Sequence, residues 1–206
     1  GPSGKFSLAF FTDFRAEGNV GILDWYTIAV AVFTVVCLAA HGASYLVWRT
    51  EGAVHDRSVG LARKLWIAVF VLMPVITLAT AVVRPELFTE MIQRPLAWIA
   101  VVMAVAGSAL VINGQRHGLE FRSFVGGCAF IAGLLGAAAV SVFPVMLHST
   151  LDPAHSLTAY QGAVDGPGLG LALIWWPVAL ILSLGYGAYV FRQFRGKVGL
   201  KAPRPH

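Results

Sequence analysis

The chain has 206 residues, 57% of them hydrophobic and only 12% charged, with a mean hydropathy of +0.73; an ordinary soluble domain carries roughly 25% charged residues. That balance excludes a soluble globular fold and marks an integral membrane protein. The formal charge of +5 carries no nucleic-acid signal, because the cations flank apolar runs, where they meet lipid headgroups.

Residues 1–23 read as an exterior amino-terminal segment. Gly1 is not an initiator methionine, and nothing before residue 24 resembles a cleavable signal. The chain is therefore expected to be a piece that begins after a missing upstream membrane region; a short translocated tail, or "GPSG" as an expression scar, is the alternative.

A bilayer core needs about 20 consecutive apolar residues per helix. Five stretches meet or approach that length without an interior Lys, Arg, Asp or Glu: 24–48, 65–83, 96–113, 123–144 and 169–191. The expected fold class is an all-α integral membrane protein with five transmembrane helices, a four-helix bundle plus a peripheral helix, spanning residues 24–191 and followed by a basic tail at 192–206.

Trp25 and Tyr26 open the first span, and Trp98, Trp175 and Trp176 lie near the same interfacial level, where amphipathic rings anchor helices. Pro74 and Pro177 fall inside spans, where neighbouring helices can satisfy the freed carbonyls. Pro85 and Pro95 bound the loop "RPELFTEMIQRP", which has room for one or two interfacial helical turns. In the fourth span Ala129, Gly133, Ala137 and Ser141 recur every four residues, a flat strip explained by close packing inside the bundle. Cys37 and Cys128 both lie within spans and read as small buried apolar residues, with no disulfide and no zinc site expected.

Orientation follows from the cations, because short loops rich in Lys and Arg stay cytoplasmic. Arg49, Arg57, Arg63, Lys64, Arg116, Arg122, Arg192, Arg195, Lys197, Lys201 and Arg204 collect on one side, against Lys5, Arg15, Arg84 and Arg94 on the other. The amino terminus is thus expected outside and the carboxyl tail in the cytoplasm.

Polar groups at membrane depth are costly and mark function. His41 is the one ionisable group of this kind, seven residues from the cytoplasmic end of the first span and about 10 Å deep. Its spacing to Ser44, Tyr45 and Trp48 places the four on one helix face. Two readings stay open: a neutral imidazole hydrogen-bonded to a neighbouring helix, or a ligand or proton-relay group. A haem between helices takes two axial ligands at matching depth. No span holds a second histidine, so Met73, at about 12 Å from the same side, is the only partner that makes His41 a haem candidate. His148, Asp152 and His155 fall in the polar connection "FPVMLHSTLDPAHSLTAY" at 143–160. Their spacing matches no metal motif; Asp152-Pro153 reads as a turn, with Ser156 or Thr158 capping a short helix. No phosphate-binding loop, nucleophile elbow or paired intramembrane carboxylate is present, so nothing here suffices for catalysis alone.

The stretches "GILDWYT" at 21–27, "HGASYLVWRTEG" at 41–52, "FP" at 143–144, "DPAHSLTAY" at 152–160 and "FRGKV" at 194–198 resemble, in the same order, the carboxyl-terminal half of subunit II of cytochrome bd-type quinol oxidases. The resemblance runs from about residue 6 to 200. It implies a non-haem structural subunit of a terminal quinol oxidase in the bacterial inner membrane. Its partner would be a haem-bearing subunit I carrying haems b and d, where quinol is oxidised and oxygen reduced to water in respiratory electron transport. Membrane lipid, and a quinone in a groove between helices, are further expected partners. The family's acidic first-half stretch and its proton-conducting carboxylates have no counterpart here. The connection from His148 to Gly168 would be an ordered exterior cap meeting the partner's surface. The rival readings are a small b-type cytochrome membrane anchor and a transporter fragment, although no internal repeat or broken helix around a midplane polar site is found.

Overall fold

The computed structural model describes residues 12–16, 23–147, 149, 153–163, 166–194 and 196–198. Among these residues six α-helices, α1 (Trp25–Arg49), α2 (Ala53–Val83), α3 (Pro85–Gln93), α4 (Pro95–Arg116), α5 (Glu120–Val142) and α6 (Gly166–Gln193), follow in order. A small hairpin, β1 (Val145–Leu147) and β2 (Leu157–Thr158), lies between α5 and α6. Five of the helices, all but α3, are long and apolar enough to cross a bilayer. The chain is an all-α, multi-pass membrane protein.

Several helix boundaries have a local cause. Asp24 caps α1: its Oδ1 accepts the Tyr26 and Thr27 amides at 2.8 and 2.9 Å, and the Thr27 hydroxyl donates to its Oδ2 at 2.6 Å. These bonds satisfy donors that a helix start leaves orphaned. Gly52, at φ +67°, reverses the chain between α1 and α2, a conformation costly for any residue with a Cβ. Pro85 and Pro95 occupy the first positions of α3 and α4, where a missing amide proton costs nothing. The interfacial helix expected between the two prolines is α3.

Helix α2 begins at Ala53, twelve residues before the expected span at 65. Its 31 residues reach about 46 Å at 1.5 Å per residue, well beyond a hydrocarbon core of about 30 Å. The turns holding His55, Asp56, Arg57, Arg63 and Lys64 continue the helix outside the membrane because intrahelical hydrogen bonding does not require an apolar surrounding. The same argument extends α4 and α5 past the apolar windows. Helices α2 and α6 run through Pro74 and Pro177 without a break.

The core lies where α1, α2, α4 and α5 meet, around the fully buried Trp66, Val69, Val111 and Phe130. Trp66 packs edge-on to Phe130 at 5.6 Å. The α4–α5 contact is closest: a Cβ on Gly133 would come within 2.5 Å of the Ala104 amide nitrogen, and one on Gly114 within 2.6 Å of the Ser123 nitrogen. Small residues let backbones approach where lipid offers no hydrophobic drive for association. The strip anticipated on α5 is used inside the bundle, at Gly133 and Ser141, but its buried face also takes in Ser123, Gly126, Gly127 and Phe130. The matching α4 row is Ala97, Ala100, Ala104, Gly107, Val111 and Gly114. Helix α6 has no buried residue and is the peripheral helix of the expected fold.

Candidate functional site

At the basic end of the bundle, the α1 face bearing His41, Ser44, Tyr45 and Trp48 turns towards α2 and α5. Ser44 is buried; its hydroxyl donates to the Ala40 carbonyl at 3.1 Å and accepts the Trp66 indole N–H at 2.9 Å. Phe124 of α5 lies against the other three rings: stacked on His41 at 4.9 Å and 20°, tilted on Tyr45 at 5.6 Å, and stacked on Trp48 at 5.1 Å and 23°. His41 Nδ1 is buried without a hydrogen-bond partner among the described residues and lies so close over Gly127 that a Cβ there would sit 2.7 Å away. On the other side of the ring, Nε2 approaches Cys128 Sγ at 3.9 Å.

This packing bears on both readings of His41. The contact to a neighbouring helix that the neutral-imidazole reading requires is offered by Cys128 of α5 at Nε2, and one turn away Ser44 and Trp66 make a second inter-helix hydrogen bond. His41 Nδ1 and the Trp66 ring both lie against the Gly127 position, where an added Cβ would come within 2.7 and 3.0 Å of them. Met73 packs on the core cluster from α2, and the sulfur that reaches the His41 ring is that of Cys128. The sequence reading of the cysteines needs one correction: Cys37 is buried but Cys128 is exposed, and neither forms a disulfide. Residue 128 lies one position past the α5 face that meets α4, so its helical phase turns it outward.

A second polar cluster, just outside the apolar span at the same end, was not legible in the sequence. Glu120 receives His55 Nε2 at 2.8 Å on one carboxylate oxygen and Lys197 Nζ at 2.6 Å on the other, and Asp56 takes His55 Nδ1 at 3.2 Å. The hydrogen bonds to Glu120 and Asp56 raise the His55 pKa above its ordinary value, against the smaller effect of burial. Burial alone would raise the Glu120 carboxyl, but its bonds to Lys197 and His55 outweigh it and hold the group below the usual carboxylate range. The cluster anchors the chain after α6, together with backbone bonds from Val198 to Arg49 at 2.7 Å and from Glu51 to Val198 at 3.1 Å. His55, Glu120 and Lys197 lie 65 or more residues apart in sequence wherever they bond across helices, so no local spacing could have announced them.

At the opposite end, Tyr26 and Thr80 join α1 to α2 at 2.9 Å; the Thr80 hydroxyl donates to Ile76, so Tyr26 is the donor in this pair. The Arg94 guanidinium donates to the Val140 and Phe143 carbonyls at the end of α5 and pairs with Glu90. It thereby ties α3 and α4 to the base of the hairpin. Strands β1 and β2 pair antiparallel, and Ala159 N donates to Pro144 O at 2.7 Å.

His148 and Asp152 lie outside the described residues. His155 is exposed and closes a short 3-10 turn, Pro153–His155. Ser156 and Thr158 do not cap a following helix as expected: Ser156 Oγ accepts the Ser149 amide at 3.1 Å, and Thr158 belongs to β2 and closes a turn with Gln161. Pro153 explains the difference, since proline begins a helical turn readily and places it before the serine. Among the described residues, no group of three or more His, Cys, Asp or Glu could hold a metal ion.

The sequence model for cytochrome bd terminal oxidase subunit II matches residues 4–194. Similar curated proteins include the cytochrome bd ubiquinol oxidase subunit 2 of Bacillus subtilis (strain 168), 26% identical over 183 residues, covering 88% of this chain and 53% of the relative. Another is a probable cytochrome oxidase subunit 2 of Haemophilus influenzae, 22% identical over 202 residues, covering 86% of this chain and 53% of the relative. The chain thus spans about half the length of the curated relatives it matches.

Proposed function

Because this chain belongs to the cytochrome bd terminal oxidase subunit II family, we propose that it forms the non-haem, structural part of such a subunit, packed in the membrane against a haem-bearing subunit I. The family match over residues 4–194 carries this reading. Quinol oxidation and oxygen reduction then belong to the partner, with its b and d haems, and this chain contributes a rigid scaffold to respiratory electron transport. The setting proposed is the bacterial inner membrane, with the basic end of the bundle, at Arg49, Arg116 and Arg122, facing the cytoplasm. The hairpin and the turn at His155 would face outside and meet the partner's outer surface.

The test is to tag the intact protein, purify it in mild detergent and identify what accompanies it, with a reduced-minus-oxidised spectrum and quinol-dependent oxygen uptake. Copurification of a haem protein with a far-red reduced band is expected. Deletion of residues 149–160 should lower the yield of that complex and its oxygen uptake together. A colourless protein that purifies alone, while a control complex stays intact, would overturn the reading in favour of a transporter. A Soret band from this chain expressed by itself would favour a b-type cytochrome.

A further inference from the structure

Between the ends of α1 and α5 and the segment after α6 lies a cavity of about 690 Å³, lined among others by Trp48, Arg49, Phe121, Arg122 and Lys197. We propose that it binds the phosphate headgroup of an anionic membrane lipid. The proposal needs only the membrane location and is independent of the oxidase reading.

Charge is the first argument. Three cations line the cavity against one carboxylate, Glu120, and both oxygens of that carboxylate are already engaged by His55 and Lys197. The negative charge is therefore neutralised in place, and Arg49 and Arg122 remain to attract an anion. Each guanidinium has five N–H donors. Among the described residues Arg49 uses one on the Phe194 carbonyl, and Arg122 one on Asn113 Oδ1 at 2.9 Å. Both are held in position by these bonds while keeping donors for phosphate oxygens, the geometry at which arginine excels.

Depth and wall chemistry decide the kind of anion. The cavity sits where the apolar spans end, at headgroup level, and its remaining wall is apolar. Phe121 is 56% exposed and Leu119 43% exposed, while Trp48 lies under the Arg49 guanidinium, 5.1 Å from its ring centre. A phosphate ion would leave that apolar wall in water; a phospholipid covers it with glycerol and acyl chain while its phosphate meets the arginines. Basic clusters just beyond a span attract anionic lipid in this way.

The test uses the intact protein in mild detergent, stripped of lipid and titrated with dioleoyl phosphatidylglycerol under native mass spectrometry. Parallel titrations use dioleoyl phosphatidylcholine, and millimolar inorganic phosphate is added as a competitor. Removing two basic contacts, each worth about five-fold, should weaken phosphatidylglycerol retention about twenty-five-fold in the Arg49→Gln/Arg122→Gln protein. Arg49→Lys/Arg122→Lys should retain most of the binding, and Arg57→Gln/Arg63→Gln, on the same side but outside the cavity, should match the wild type. Equal retention by the wild type and the glutamine variant overturns the proposal. Phosphatidylcholine binding as tightly as phosphatidylglycerol overturns the anionic preference, and displacement by inorganic phosphate replaces the lipid with free phosphate as the occupant.

Discussion

Replacing Gly133 by alanine adds one methyl group where α4 and α5 touch backbone to backbone. The new Cβ would lie 2.5 Å from the Ala104 nitrogen and 2.6 Å from the Ala100 carbonyl oxygen, about 1 Å inside ordinary contact. Neither obstacle can rotate away, so the helices must part by a similar distance. A gap of 0.5–1 Å forfeits roughly a quarter to a half of each dispersion contact along the seam. Overpacking costs about 1–3 kcal/mol, and a rigid obstacle on a long seam puts this variant near the upper end. At about 2–4 °C per kcal/mol for a chain of this size, the apparent Tm should fall by roughly 6–12 °C. Gly42 is the control: it is exposed on α1 with nothing within 4 Å of a Cβ, so Gly42→Ala should leave Tm unchanged or raise it, alanine gaining about 0.5–1 kcal/mol in a helix. Thermal unfolding of the intact protein in mild detergent, followed by tryptophan fluorescence with the buried Trp66 as a reporter, measures both. If the two variants unfold at the same temperature, the seam is not held by backbone contact and the reasoning fails.

Ser44→Ala should cost about 1–2 kcal/mol, because it strands the buried Trp66 N–H without water; Ser44→Ala in a Trp66→Phe background should cost clearly less, and equal costs in a double-mutant cycle would exclude the coupling. Asp24→Ala should cost about 0.5–2 kcal/mol by uncapping α1, seen as faster hydrogen exchange at the Tyr26 and Thr27 amides. Burial alone would raise the Asp24 pKa, but its bonds from Thr27 and Tyr26 prevail and lower it. Its contribution is therefore present above the unfolded value near 4 and lost as pH falls through the folded one, so exchange at those amides should speed up only in that acid range. His55 has the opposite sign: its pKa is raised by Glu120 and Asp56, so its help in anchoring the Lys197 segment is complete below about pH 6.5 and fades as pH rises through the folded value. Limited proteolysis after α6 should accelerate in that direction, and in Glu120→Gln it should be fast at every pH.

Much of the architecture could be read from residue order. Runs of about 20 apolar residues, and Pro85 and Pro95 around the interfacial helix, specify local structure through nearest neighbours in the chain, and membrane immersion leaves the backbone few alternatives to the helix. The face shared by His41, Ser44, Tyr45 and Trp48 followed from helical period in the same way. What that face does was not legible. Ser44 reaches Trp66 twenty-two residues away, and His41 Nδ1 lies against Gly127 on another helix. Cys128 was misread for the same reason, because hydropathy reports that a residue lies in the membrane and not which side of its helix meets protein.

The sequence by itself determined the solvent of this protein, the number of its spanning helices and their family, since these follow from composition, period and motif order. Only the tertiary structure decided which glycines form the α4–α5 seam, that Glu120 is neutralised by His55 and Lys197, and that Arg49 and Arg122 share one cavity. Those relations join residues from different helices, and helix rotation and pairing are settled by side-chain volume and hydrogen bonding across the bundle, which no single segment encodes.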